Sequence, residues 1–316
     1  MKKSLRIGIT LGDLNGIGPE VALKAVRQLG VLRDVHFVLI GSPNAVEPLR
    51  TRPRHALLWD PTPHLAPRYT PGRITAAAGR AAAAWIYFGV RGCQAGMLDA
   101  LVTAPICKAG WERAGIRFPG HTELLAQLTG ARRVEMMLLG GPLRVVLATR
   151  HVPLAQVPLA LRTTDLAETI AMTAAGLRWL GLRQRRIAVC GLNPHAGDGG
   201  LLGDEESKLI APAIRAARRP GLQLAGPVPA DTVFHQALHG RYEAVIAMYH
   251  DQGLGPLKML AFESGVNLTL GLPIVRTSPD HGTAFDIAGQ DRANPASMVA
   301  AIEWAIRLAR RPHPWR

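Results

Sequence analysis

His151, His195 and His250 each stand just beyond a short run of strand-forming apolar residues, in "LRVVLATRHVPL", "RIAVCGLNPHAGDGG" and "AVIAMYHDQGLGPLK". If those runs are neighbouring parallel strands, three imidazoles converge at one edge of a sheet. Three neutral imidazoles with an open fourth position suit Zn²⁺ or a similar divalent ion acting as a Lewis acid. A histidine after a strand is more often a loop hydrogen-bonder, and the spacing is not a compact metal motif such as HExxH. From the residues alone the metal centre and the loop histidines stand level. His36, His55, His64, His235, His239 and His313 read as surface or helix positions.

Anion chemistry has weaker carriers. Lys258 and Arg276 are cations expected near the same sheet edge as His250, and could pair with a phosphate; each could equally be a surface charge. "GDLNGIGPE" turns tightly into a helix at Pro19, whose N-terminus can receive an anion, although a plain strand-to-helix turn is slightly favoured. "FPGHTEL" places His121 and Thr122 at another helix start, where an ordinary threonine cap is the bland alternative. The chain has neither a Walker A sequence nor GxGxxG.

The elements that must hold these residues alternate. Strands are expected at 5–10, 35–40, 98–103, 134–139, 143–149, 186–191, 244–249 and 266–270, and helices at 19–29, 75–91, 121–128, 164–180, 205–218, 231–238 and 295–310. Continuous apolar strands separated by amphipathic helices predict an α/β fold with a largely parallel sheet, helices on both faces, and ligands at the carboxyl ends of the strands. Residues 48–72, with six prolines, read as a loop region.

The 316 residues are too many for one ordinary core. At 48% hydrophobic and 19% charged, the composition is that of a globular protein. The net charge of +14 comes mostly from arginines scattered along the chain, and aromatics at 5% are too few for base-stacking platforms, so no nucleic-acid partner is expected. Cys93, Cys107 and Cys190 form no CxxC pair, which points to a reducing compartment. "MKKSLRIGIT" begins like a signal peptide, but Arg6 and Gly12-Asp13 interrupt it. No apolar run is long enough to span a bilayer, and a cytoplasmic protein with no membrane partner is expected.

Taken together, "FPGHTELLA", "NPHAGDGG", "PADTVF", "AMYHDQGLGPLK" and "GVNLTLGLPIVRTSPDHGTA" resemble the 4-hydroxythreonine-4-phosphate dehydrogenase family of vitamin B6 biosynthesis. Two departures are Leu14-Asn15 in place of Pro-Ala and Cys107 in place of Asn or His. The resemblance implies a fold similar to isocitrate and isopropylmalate dehydrogenases. That fold has two α/β/α lobes around a central cleft, here drawn at 1–120 with 265–316 for the nucleotide side and at 121–264 for the metal, substrate and dimer side.

It further implies a homodimer. His151, His195 and His250 match the metal ligands, with His250 serving a site completed across the dimer; zinc comes first, magnesium or cobalt next. His121, Thr122, Lys258, Asn267 and Arg276 match substrate-binding residues. "HGTAFDIAGQDRANP" resembles the adenosine loop of isopropylmalate dehydrogenases. By that match His281, Gly282, Thr283, Asp286 and Asn294 would meet NAD, the Asp286 carboxylate disfavouring NADP. Without the resemblance Asp286 reads equally as a carboxylate at a helix N-terminus.

The implied reaction is metal- and NAD-dependent oxidation of 4-phosphohydroxy-L-threonine followed by decarboxylation. D-Threonate or D-erythronate 4-phosphate is the alternative substrate. Asp251 or Asp231 would bind the metal or orient a histidine, and Lys108 is a further candidate for the chemistry. Gly253 and Gly255 are expected to loosen a loop after His250 and free Lys258 to reach an anion.

Overall fold

The computed structural model describes residues 4–49 and 53–316, so the first residues of the signal-like stretch and part of the 48–72 region lie outside it. The strands are β1 (Leu5–Thr10), β2 (Val35–Ile40), β3 (Ala56–Trp59), β4 (Ala100–Thr103), β5 (Glu135–Gly140), β6 (Leu143–Leu147), β7 (Arg186–Cys190), β8 (Gln223–Val228), β9 (Ala244–Ala247), β10 (Val266–Leu270) and β11 (Arg276–Pro279). The helices are α1 (Gly18–Leu29), α2 (Ala76–Gln94), α3 (Lys108–Arg113), α4 (His121–Thr129), α5 (Val157–Ala160), α6 (Thr163–Trp179), α7 (Ala211–Ala216), α8 (Ala230–Leu238), α9 (His250–Ala261) and α10 (Ala296–Ala309). No helix among the described residues is long and apolar enough to cross a membrane.

The chain divides into two compact units, Met1–Val134 with Leu272–Arg316, and Glu135–Gly271. Both divisions fall later than the 120/121 and 264/265 drawn from the sequence. The first moves because α4 packs on α2, the second because β10 pairs antiparallel with β5.

In the first unit the strands run β3-β2-β1-β4-β11, all parallel. Gly8 and Leu101 share one face and meet α2 and its neighbours: a Cβ on Gly89 of α2 would touch Leu101. The opposite face meets α10, where the Thr277 hydroxyl donates to the Ala301 carbonyl at 2.8 Å. β11 escaped the sequence reading because "RTSP" is polar, yet all four residues are buried.

In the second unit the order is β10-β5-β6-β9-β7-β8. β5 runs antiparallel to both its neighbours, and β6, β9, β7 and β8 are parallel. β8 is the edge strand of this unit, the position in a sheet where its Pro227 is tolerated. Val145, Leu147, Val245 and Ala247 point to a core shared with Val233 and Phe234 of α8 and Leu254 and Leu257 of α9. Met137 and Leu270 point the other way, toward Gly176 of α6. Period-two alternation thus gives this unit three layers, α/β/α.

The stretch after His250 is not a loosened loop. His250 to Ala261 is α9, with Tyr249 as its N-cap. Gly253 is buried, and a Cβ there would stand 2.7 Å from Val145 and 2.9 Å from the Ala247 Cβ. This glycine lets the helix lie close on β6 and β9. At Gly255 a Cβ would meet nothing within 4 Å. Gly253→Ala is therefore expected to destabilise the protein by about 1–3 kcal/mol through overpacking. Gly255→Ala is expected to leave it unchanged or add about 0.5–1 kcal/mol. Denaturant unfolding of the two variants checks this; equal effects would mean that close packing is not the reason for Gly253.

Candidate active site

The parallel pairing of β6 with β9 and of β9 with β7 puts the exits of those three strands side by side. The three histidines follow these exits. Beyond the ladder the β6 and β9 exits stay zipped: Ala148 N–H donates to the Ala247 carbonyl at 2.8 Å, and Thr149 donates to the Met248 carbonyl from N–H at 3.1 Å and from Oγ1 at 2.7 Å. This brings the His151 and His250 rings to 5.7 Å between centroids. Gln252 ties in the third exit, accepting from Met248 N–H at 2.6 Å and donating to the Gly191 carbonyl at 2.8 Å. Asp251 Oδ1 lies 2.7 Å from His250 Nδ1. A carboxylate accepting from Nδ1–H leaves Nε2 as the ligating nitrogen, the arrangement that orients metal-binding histidines. Both candidate carboxylates are exposed, Asp231 in the first turn of α8 and Asp251 in that of α9, and Asp251 is the one in contact with His250.

His195 is held differently. Residues His195 to Gly199 form a left-handed turn with φ of 52°, 54°, 84°, 43° and 67°. Among the described residues no group of three or more His, Cys, Asp or Glu side chains within one chain is close enough to hold a metal ion. The structure brings together His151 and His250, and leaves His195 exposed on its own turn. In the same unit, Asn267 sits on β10 opposite Leu138, with its buried Oδ1 accepting no hydrogen bond from a described residue. Lys258 is half-buried on α9, its Nζ 5.9 Å from the Phe262 ring centroid.

The first unit gathers a second set. Arg276 is 1% exposed, and its Nε and Nη2 donate to Thr103 Oγ1 at 3.1 and 2.6 Å. Burial pulls its pKa down to about 9, which still leaves it a cation at neutral pH. Burial, then the Arg276 charge, hold His121 well below the usual imidazole range, so its ring is neutral. Its Nε2 is out of solvent and unbonded among the described residues. Thr122 is buried at the second position of α4 and Gly120 is the N-cap, so the threonine-cap reading fails. The Lys108 Cε would lie 3.7 Å from a Cβ on Gly120.

The two glycine-rich motifs of this unit pack on each other. Ile17 N–H donates to the Thr283 carbonyl at 2.9 Å, and a Cβ on Gly16 would stand 2.8 Å from that oxygen. Residues 11–20 are all buried, so the start of α1 offers no open face to an anion. Asp286 and Gly282 are exposed on the segment between β11 and α10, and Asp286 starts no helix, which removes its bland reading. His281 Nδ1 lies 3.0 Å from the Gly282 carbonyl. Asn294 Oδ1 accepts from Ala296 N–H at 2.9 Å, at the start of α10.

Asp13, Asn15 and Thr103 were not singled out as site residues in the sequence. Asn15 joins "GDLNGIGPE" to the 70–75 segment, accepting from Thr70 N–H at 2.7 Å and donating to the Arg73 carbonyl at 2.9 Å. Its mismatch to the family pattern was the available clue. Asp13 is fully buried, and its Oδ2 accepts nothing from a described residue.

The fold is α/β, and three histidine-bearing segments leave adjacent parallel strands at one edge of the second unit, the His151 and His250 rings lying close together. The profile of "Pyridoxal phosphate biosynthetic protein PdxA" matches residues 19–305, and the chain belongs to that family. It is 46% identical over 324 residues to a 4-hydroxythreonine-4-phosphate dehydrogenase of Geobacter metallireducens, covering 96% of each chain. A crystal structure of the enzyme of that name from Klebsiella pneumoniae superposes with a TM-score of 0.85 at 39% identity, covering 98% of this chain and 100% of that one. A relative from Bradyrhizobium diazoefficiens, provisionally named a D-threonate 4-phosphate dehydrogenase, is 43% identical over 335 residues, covering 97% of each. These relatives are named as dehydrogenases, which places the chain among oxidoreductases.

Burial raises the Asp13 carboxyl from its ordinary 3.8 to about 6, against the pull of the Asn15 N–H bond. Between those values the folded chain holds a proton that the unfolded chain has lost. The stability from this group is therefore full below about pH 4 and lost as pH rises through 6. Relative to wild type, Asp13→Asn should gain about 2–3 kcal/mol between pH 4 and pH 7. Parallel stability-versus-pH curves for the two proteins would sink this.

Proposed function

We propose that the chain is an NAD- and divalent-metal-dependent dehydrogenase. It oxidises the secondary hydroxyl of 4-phosphohydroxy-L-threonine to 2-amino-3-oxo-4-phosphooxybutanoate, which loses CO2 to give 3-amino-2-oxopropyl phosphate. The carrying observation is the set of three histidines on the exits of adjacent parallel strands, two of them with rings 5.7 Å apart. An all-imidazole donor set favours zinc or cobalt over magnesium. The names of the relatives support the substrate.

When bound, the metal ion lowers the pKa of the substrate hydroxyl and the dinucleotide takes the hydride. The chain's residues do the rest. His151, His195 and His250 hold the metal, and Asp251 keeps His250 in the tautomer that offers Nε2. Within the first unit, Arg276 supplies a buried positive charge, fixed by Thr103, for an anionic group of the substrate. His121 stays neutral beside it, able to donate or accept a hydrogen bond without repelling a cation. Thr122 adds a hydroxyl there. Within the second unit, Asn267 offers its unbonded Oδ1 and Lys258 its charge. The exposed loop carrying His281, Gly282, Thr283, Asp286 and Asn294 receives the dinucleotide, with Asp286 accepting from a ribose hydroxyl. The working form is a cytoplasmic homodimer that completes the metal site. Apolar side chains on the second unit support this, Met259 being 93% exposed and Leu201 83%.

The second reading, oxidation of D-threonate 4-phosphate, is favoured by the Bradyrhizobium relative. NADH formation from each compound, with and without a chelator, separates the two. Chelator-sensitive turnover of the amino acid alone is expected, and turnover of the sugar acid alone would replace the substrate. His195→Ala should lower turnover by well over 100-fold, more than loss of an outer-shell partner costs, with the unfolding midpoint unchanged. Near-normal turnover of that variant without added metal would remove the metal role.

A further inference from the structure

The His195 turn is expensive as a backbone. His195, Ala196 and Asp198 are non-glycine residues with φ of 52°, 54° and 43°, a left-handed region in which the Cβ of an L-residue crowds the following carbonyl oxygen. Such a conformation persists only where the surroundings impose it. Besides the turn's own backbone hydrogen bonds, from Ala196 N–H to the Asn193 carbonyl and from Leu202 N–H to the Gly197 carbonyl, both at 3.1 Å, a buried carboxylate meets its entry. Glu206 is 6% exposed and opens a π-helical turn, Glu206–Ile210, that leads directly into α7. Its Oε1 accepts from Leu192 N–H and Asn193 N–H, both at 2.8 Å, and its Oε2 accepts from Asn193 Nδ2 at 3.0 Å. Glu205 Oε2 holds the same amide at 2.7 Å.

The turn itself closes over this carboxylate. A Cβ on Gly197 would stand 2.7 Å from Glu206 Oε2, and one on Gly191 would stand 3.1 Å from Oε1 and 2.7 Å from the Ala196 Cα. Burial acts to raise the Glu206 pKa, but the hydrogen bonds from Asn193 and Leu192 outweigh it and hold the carboxyl below its usual value. It is therefore an anion with three fixed donors.

We propose that Glu206 is the positioning residue of the His195 turn: its buried carboxylate clamps the entry of the turn and so presents the imidazole for metal binding. This rests on the metal reading of the proposed function. The π-helical turn that Glu206 opens is of a kind found frequently at functional sites. Glutamine at 206 would keep the acceptor toward Leu192 and Asn193 N–H but set its own NH2 against the Asn193 amide. Alanine would remove both.

The test uses the full-length protein, with Glu206→Gln and Glu206→Ala. Hydrogen exchange of the metal-free protein is read at residues 191–200, and Zn²⁺ affinity is measured by chelator competition. Exchange in the turn is expected to quicken at least tenfold in Glu206→Ala and to a lesser degree in Glu206→Gln, while β5 and β10 keep their protection. Zn²⁺ affinity is expected to fall about 10-fold with glutamine and about 100-fold with alanine, the range for outer-shell partners. If the alanine variant does not fold, the glutamine variant carries the test. Wild-type exchange in a folded variant overturns the proposal. So does a loosened turn with unchanged Zn²⁺ affinity. If the wild-type protein binds no Zn²⁺, the metal reading fails by itself, and the exchange data still decide whether Glu206 holds the turn.

Discussion

The second unit depends on the register of three parallel strands. Val145 faces Val245 across β6 and β9, and Ile187 faces Ala244 across β7 and β9. Parallel strands deliver all their exits to the same edge, which is where open α/β sheets place ligands. The register also sends Val145, Leu147 and Ala247 into the α8–α9 core. A slip of one residue would bury the wrong face, so the packing that stabilises the unit also fixes where the histidine-bearing segments begin. The Thr149 and Gln252 hydrogen bonds extend that order past the last ladder residues. Chemistry and core are thus set by one alignment.

The first unit works by burial of polar groups instead. Arg276 and Thr103 lie on adjacent parallel strands, where apolar residues would be expected. Removing a guanidinium from water costs free energy unless donors are satisfied, and the Thr103 hydroxyl meets two of them. The same dry setting separates three titratable groups. At neutral pH Arg276 keeps its proton and His121 has lost its own, while Asp13 gives up its proton only as pH rises through about 6. Of the three, His121 and Arg276 are close enough for the guanidinium charge to act on the imidazole, and burial dominates the shift of each group.

How much of this was legible follows from what a sequence pattern encodes. β1, β2 and β10 were readable with their observed ends, because Leu, Ile, Val and Phe recur along each of them with only isolated polar residues between. The order of the histidines after strands was readable for the same reason. β11 was not, since its buried residues are Arg, Thr, Ser and Pro. α9 was read as a loop because two glycines and Pro256 interrupt it. Its helix is held by contact with β6 and β9, a tertiary effect that overrides propensity. Glu206 was invisible for a different reason. Two of its three donors are the backbone N–H groups of Leu192 and Asn193, and backbone donors leave no mark in residue identity.

The histidines therefore divide by how they are held. His250 opens a helix packed on two strands and is oriented by the adjacent Asp251 carboxylate. His151 leaves a strand whose exit is zipped to that of β9. For both, position is a by-product of regular structure. His195 has no such support, because a left-handed run cannot extend a strand or start a right-handed helix. Three non-glycine residues in that run oppose folding by about 1–2 kcal/mol each. Hydrogen bonds to a charged group contribute about 1.5–3 kcal/mol each, and Glu206 makes three. The two sums are of the same size. The turn is thus close to balance, and its conformation follows the Glu206 carboxylate rather than the local sequence.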